Sequence, residues 1–172
     1  EDTAEIAMDL IRSSAKNASA RLQFARIAFG AAGSAGAHID TGDAEAVARG
    51  FFDNEKKTDL EWHGERAIIA KNQVKFLLNL LLVGLGAIPR GGVVKAEMED
   101  PNGTPTFRVT SSGMNARVPA AFLALLNGEF DEQIDAHAIQ PIYTLQLAEA
   151  AGLNVGVRLE GENVVFEATV AS

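Results

Sequence analysis

The feature that most constrains this chain is its opening stretch, which runs from Thr3 to Phe29 without a proline or a glycine. Asp2, followed three residues later by Glu5, reads as an N-capping arrangement, and the whole stretch predicts one long helix. Along it Ala4, Met8, Ile11, Ala15, Ala18, Leu22, Ala25 and Phe29 alternate spacings of four and three, a heptad-type seam. Burying Met8, Ile11, Leu22 or Phe29 is worth ~1.5 to 3 kcal/mol each, whereas ordering each backbone residue costs ~1 to 2 kcal/mol. Alone, the helix loses that comparison, so its seam needs partner helices. The small residues on the seam permit close approach, and the length suits a four-helix bundle made from two helical hairpins. A preceding first helix, expected upstream because the chain opens at Glu1 without an initiator Met, and a homodimer are therefore inferred.

The run from Gly30 to Gly42 is rich in glycine and other small residues, which ends the helix and marks a domain boundary. Residues 1–36 are read as the second helix of the hairpin and residues 41–172 as a second domain. In that domain Asp43 to Asn54 predicts a short helix, and Asp59 to Ile69, with Gly64 central, a hairpin of two short strands. A very apolar helix is expected over Lys71 to Ile88, then strands at Val93 to Met98 and Thr106 to Thr110 around the turn Asp100-Pro101-Asn102-Gly103. Pro119 to Leu126 predicts a short helix. Pro141 to Ala151 predicts another, with its proline in the first turn and Gly152 at its end. Leu153 to Leu159 and Val164 to Val170 close a hairpin around Glu160-Gly161-Glu162-Asn163. The class is α+β, with helices on one face of a mixed sheet.

Composition narrows the function. At 172 residues the chain accommodates one compact domain and a helical extension. A net charge of -8 argues against nucleic acid as the direct partner, since such affinity comes from neutralising phosphates with Lys and Arg. The apolar run from Phe76 to Ile88 is interrupted by Asn79, Gly84 and Gly86 and is too short for a membrane span. There is no cysteine, which removes disulfides and thiolate chemistry and agrees with a cytoplasmic protein.

The string from Asn72 to Gly92 resembles the N-box helix of histidine kinase ATP-binding domains, in which an asparagine at the position of Val83 helps hold magnesium and nucleotide. Val109-Thr110-Ser111-Ser112-Gly113 falls where those kinases carry an Asp-x-Gly box, with Ser111 in place of the adenine-reading aspartate. Ile139 to Gly152 resembles their last helix, but no Gly-x-Gly precedes it to cradle phosphates. More specifically, Leu10 to Gly36 together with Leu78 to Gly92 resembles the ChpT-type histidine phosphotransferases of alphaproteobacterial cell-cycle phosphorelays. The resemblance implies a dimeric helical-hairpin bundle followed by a Bergerat-type, histidine-kinase ATPase-like α/β sandwich without a functional nucleotide site, and hence no cofactor. It implies that phosphate passes from the receiver domain of a hybrid histidine kinase to response regulators through a histidine on the first helix. That histidine, with its His-Asp pair, is expected upstream of Glu1, so the chain as given would be inactive in transfer and would not be an ATPase. The alternatives are a non-catalytic scaffold that binds a response regulator, and an active GHKL-type kinase or ATPase.

Within the chain, Met8, Ile11, Arg12 and Ala15 are the expected receiver contacts, since methionine adapts to such surfaces and Arg12 is suited to a receiver carboxylate. Ala18, Leu22, Ala25 and Phe29 are assigned to the bundle seam, which Met8, Ile11 and Ala15 equally suit. His38, His63 and His137 lack the setting of a phosphoacceptor, an imidazole on a bundle helix beside an orienting carboxylate, and lack metal-ligand spacing. Gly91-Gly92 follows a helix and precedes a strand, the reverse of a phosphate loop, and reads as a turn. Glu97, Glu99 and Asp100 are expected to face water.

Overall fold

The computed structural model describes residues 2–30, 38–129 and 135–171. The opening helix α1 (Asp2–Ala28) is unbroken. Strand β1 (His38–Asp40) leads into α2 (Thr41–Phe52), whose start is fixed by the Asp40 carboxylate accepting from the Gly42 amide at 2.8 Å. Strands β2 (Thr58–His63) and β3 (Ile68–Ala70) precede the buried helix α3 (Lys71–Ala87). Strands β4 (Gly92–Glu99) and β5 (Thr106–Ser112), helices α4 (Ala120–Leu126) and α5 (Ala136–Ala150), and strands β6 (Leu153–Glu160) and β7 (Asn163–Val170) complete the chain.

One five-stranded sheet carries the domain in the order β2-β4-β5-β7-β6. Its β2–β4 pair is parallel and its other pairs are antiparallel. The period-two alternation of these strands sends Val94, Ala96, Met98, Phe107, Val109, Val164, Phe166 and Ala168 into the core beneath the helices. On the opposite face, Arg108 and Arg158 both grip Glu167, at 2.7 Å each. Edge-on ring contacts fasten the helix layer to the sheet: Phe76 of α3 meets Phe107 at 6.2 Å, and Phe122 of α4 meets Phe166 at 5.3 Å. Helix α3 is nearly all buried because it lies between sheet and neighbouring helices, which is why its sequence is apolar all round.

Two sequence expectations need correction. Strands β2 and β3 exist but do not pair with each other: β2 runs parallel to β4, and β3 pairs antiparallel with β1. Gly64 therefore sits in a connection between two sheets, with φ of +157°, packed 3.1 Å from the Met98 carbonyl if given a Cβ. Helix α5 begins at Ala136, so Pro141 lies inside it. Asp135 starts the helix by accepting from the His137 and Ala138 amides at 2.9 and 3.0 Å, a cap that outweighs the proline signal. The Asp2 side chain, residues 31–37 of the Gly30 to Gly42 connector and the segment 130–134 lie outside the described residues, so of the boundary placed between residues 36 and 41 only β1 is described.

Candidate functional site

Helix α1 changes character half-way along. Every side chain from Thr3 to Lys16 is exposed, including Met8, Ile11, Arg12 and Ala15. Arg12 pairs only with Asp9 on its own helix, at 3.2 Å. On the seam Ala18 and Leu22 are also exposed, Leu22 to 64%, and Ala25 is half-buried. At about 100° per residue, a second stripe lies about 130° around the helix from the seam: Ile6, Leu10, Asn17, Phe24 and Ala28. Its far end is core, with Phe24 at 1% and Ala28 at 0% exposure, whereas Leu10 is 63% exposed. Phe24 stacks on Phe51 of α2 at 4.6 Å, and Arg21 reaches Glu55 at 2.7 Å while lying 5.0 Å from the Phe51 ring. The helix thus has one apolar side committed to its own domain over its second half, and another left uncovered along most of its length.

The end of α1 is locked by a buried polar joint on α3. Asn79 Nδ2 donates to the Ala28 carbonyl at 2.9 Å, and Lys75 Nζ donates to the Gly30 carbonyl at 2.9 Å. Gln140 of α5 completes the set, donating to Asn79 Oδ1 at 2.8 Å and to Thr144 Oγ1 at 3.2 Å. These groups satisfy the carbonyls a helix terminus leaves without partners. Phe29, assigned to the seam, leans on Tyr143 of α5 with ring centroids 5.8 Å apart. The joint was not read from the sequence, although Lys75 and Asn79, two polar residues one turn apart in an apolar helix, were its signal.

Beside the joint, α3, α4, α5 and the loop between β5 and α4 enclose a cleft of about 630 Å³. Val83 forms part of its wall and offers no polar atom where an N-box asparagine would stand. Ser111 is fully buried, and its hydroxyl donates to the Gly84 carbonyl at 2.8 Å. A Cβ at Gly84 would come within 2.9 Å of both Ser111 Oγ and Val109 Cγ1, so this crossing of α3 over β5 is closed tightly around glycine. The two glycines end a turn and are no phosphate loop, as the sequence implied: Gly91 follows the turn at Pro89 and Arg90, Gly92 opens β4, and their amides are taken by the Ile88 and Lys57 carbonyls at 2.8 Å each. Their φ angles of +93° and +143° explain why two glycines stand there.

This arrangement has counterparts among known proteins. The family model for the histidine phosphotransferase C-terminal domain matches residues 41–163. Protein phosphotransferase ChpT of Brucella abortus (strain 2308) is 55% identical over 165 residues, covering 95% of this chain and 78% of that relative. The chain belongs to the histidine phosphotransferase family. A solved bacterial phosphotransferase superposes with a TM-score of 0.86 at 51% identity, over 98% of this chain and 80% of that one. The histidine kinase domain of a blue-light activated kinase from Erythrobacter litoralis superposes with a TM-score of 0.58 at 14% identity, over 97% of this chain and 85% of that one, a likeness of fold. The present histidine phosphotransferase is accordingly a phosphotransferase built on a histidine-kinase-like scaffold, and the family match begins with α2.

The histidines of this phosphotransferase chain are scattered. His38 opens the short strand β1, and its neighbour Asp40 is committed to Arg66, whose guanidinium holds that carboxyl below its usual range. His63 ends β2, 3.7 Å from Glu61. His137 sits in the first turn of α5 at the mouth of the cleft. Among the described residues no group of three or more His, Cys, Asp or Glu is placed to hold a metal ion. Of the acidic residues near the end of β4, Glu97 pairs with Lys95 at 3.2 Å, Glu99 is exposed, and Asp100 accepts from the Thr104 amide at 2.8 Å within its turn. Among the described residues no helix is long and apolar enough to cross a membrane.

Proposed function

We propose that this histidine phosphotransferase relays phosphoryl groups from the receiver domain of a hybrid histidine kinase to response regulators, as a cytoplasmic homodimer that does not bind ATP. The observation that carries the reading is the uncovered seam of α1. Met8, Ile11 and Leu22 are exposed among alanines at heptad spacing, the form of a helix that completes a bundle with others. The phosphoacceptor histidine belongs on a helix that pairs with this seam, because phosphotransfer between protein side chains needs a rigid, exposed imidazole and chiefly positioning thereafter. Receiver domains dock against the first half of α1 beside that seam, where Arg12, Ile6 and Leu10 stay exposed once Met8, Ile11 and Ala15 pack in the bundle. The loss of the N-box asparagine at Val83 and the commitment of Ser111 to Gly84 support a scaffold kept for shape and not for nucleotide.

The test is transfer itself. Full-length protein incubated with the phosphorylated receiver of its hybrid kinase is expected to acquire acid-labile, base-stable label. Receiver binding without label would replace the relay with a binding scaffold, and tight magnesium-ATP binding by calorimetry would replace it with a kinase. Ala18→Glu is expected to halve the molar mass by light scattering, and an unchanged mass would remove the bundle.

A further inference from the structure

The cleft beside α5 lacks the polar groups of a nucleotide site among its described lining residues, yet those residues leave it open. Its volume of about 630 Å³ lies inside the range of small-molecule sites, roughly 300 to 1,000 Å³. Leu82, Val83, Val118 and Pro141 give it an apolar wall. Arg117 stands at its edge on the loop before α4, held by its own amide donating to the Ala87 carbonyl at 2.9 Å. Among the described residues nothing pairs with the Arg117 guanidinium, whereas the carboxylate at the rim, Asp135, is occupied with the amides of α5. A cation without a partner among the described residues, beside an apolar wall, favours one kind of guest, a small free anion with a single charge and a ring-sized or acyl body. A polyphosphate finds neither a second arginine nor a metal-holding asparagine there, and meets Asp135.

Gln140 lines the same cleft, and its side-chain amide is the group that holds Asn79, which in turn holds the Ala28 carbonyl at the end of α1. A guest that touches Gln140 is therefore two hydrogen bonds from the end of the helix that carries the uncovered seam. We infer that the cleft is a binding site for a small apolar monoanion, and that occupancy is read at the α1 joint through Gln140 and Asn79. The binding site is independent of the relay reading. Only its regulatory use would rest on that reading.

Gly86 provides a clean way to block the site. It lines the cleft, its φ is not in the left-handed region, and a Cβ there would meet no atom within 4 Å, so Gly86→Phe fills the space without disturbing the core. The probe is 8-anilinonaphthalene-1-sulfonate, titrated into the isotope-labelled chain and followed by amide correlation spectra. The amides of Gly86, Val118, Ala120 and Ala121 and the side-chain amides of Gln140 and Asn79 are expected to shift together along one saturable curve. Arg117→Ala is expected to weaken binding about tenfold, the order of a charge-assisted hydrogen bond, and Gly86→Phe to abolish it. Shifts confined to the exposed apolar residues of α1, or a cleft titration unchanged in Gly86→Phe, would overturn the site. Cleft shifts that leave the Asn79 side chain still would overturn the connection to α1.

Discussion

The two halves of α1 share one helix and one heptad pattern but stand in different physical situations. In the second half Phe24 and Ala28 belong to the core of the kinase-like domain, and the helix end is pinned by Lys75 and Asn79. In the first half Ile6, Met8, Leu10 and Ile11 are left exposed by the described residues of the chain. The contrast teaches that the domain acts as a mount. It fixes the direction of α1 from one end and leaves the other end to the partners proposed for it. A helix that depends on such partners is expected to fray where it stands alone.

The largest effect should come from cutting the mount. Phe24→Ala removes a fully buried ring and is expected to cost ~3 to 5 kcal/mol of unfolding free energy, whereas Ile11→Ala should change protomer unfolding by no more than ~0.5 kcal/mol. Chemical denaturation of the two variants checks the pair, and equal losses would break the comparison. Next, Asn79→Ala leaves the Ala28 carbonyl buried without its partner and should cost about 1 to 3 kcal/mol. Hydrogen exchange is expected to show the resulting loss of protection concentrated in the last turns of α1. A subtler effect separates folding from binding: Leu10→Ser should leave the melting curve unchanged while weakening receiver binding by about 1 to 2 kcal/mol, read by calorimetry.

The smallest expected effect lies far from α1 and sets a baseline for the mount itself. Arg108, and then Arg158, hold the Glu167 carboxyl below its ordinary value of 4.5. A depressed folded-state value means that stabilisation is present above the unfolded value and is lost as pH falls through the folded one. Stability should therefore decline below about pH 4.5, and Glu167→Gln should flatten that part of the acid limb. The loss at neutral pH should be at most about 1 kcal/mol, since the pair is partly exposed. Denaturation midpoints measured at several pH values check this.

Several parts of the architecture follow from the amino-acid order alone. The heptad of α1, the apolar run of α3 and the two-residue turn between β6 and β7 each carry their signal locally, in periodicity or in turn chemistry, and each stands where the pattern placed it. The family, too, was legible, because Leu10 to Gly36 and Leu78 to Gly92 carry its pattern, while Val83 and Ser111 stand where a kinase scaffold has its N-box asparagine and its adenine-reading aspartate. What the order of residues leaves open is partnership between distant segments. A strand's alternation does not name its neighbour, so β2 and β3 looked like a hairpin although each pairs elsewhere. Nor does a helical stripe announce what covers it. Only the tertiary structure separated the side of α1 that its own domain buries from the side that stays open, because that choice depends on where α2, α3 and α5 come to rest. The Asn79 and Gln140 joint was hidden for the same reason: its members lie 61 residues apart in sequence and acquire meaning only when α3 and α5 meet the end of α1.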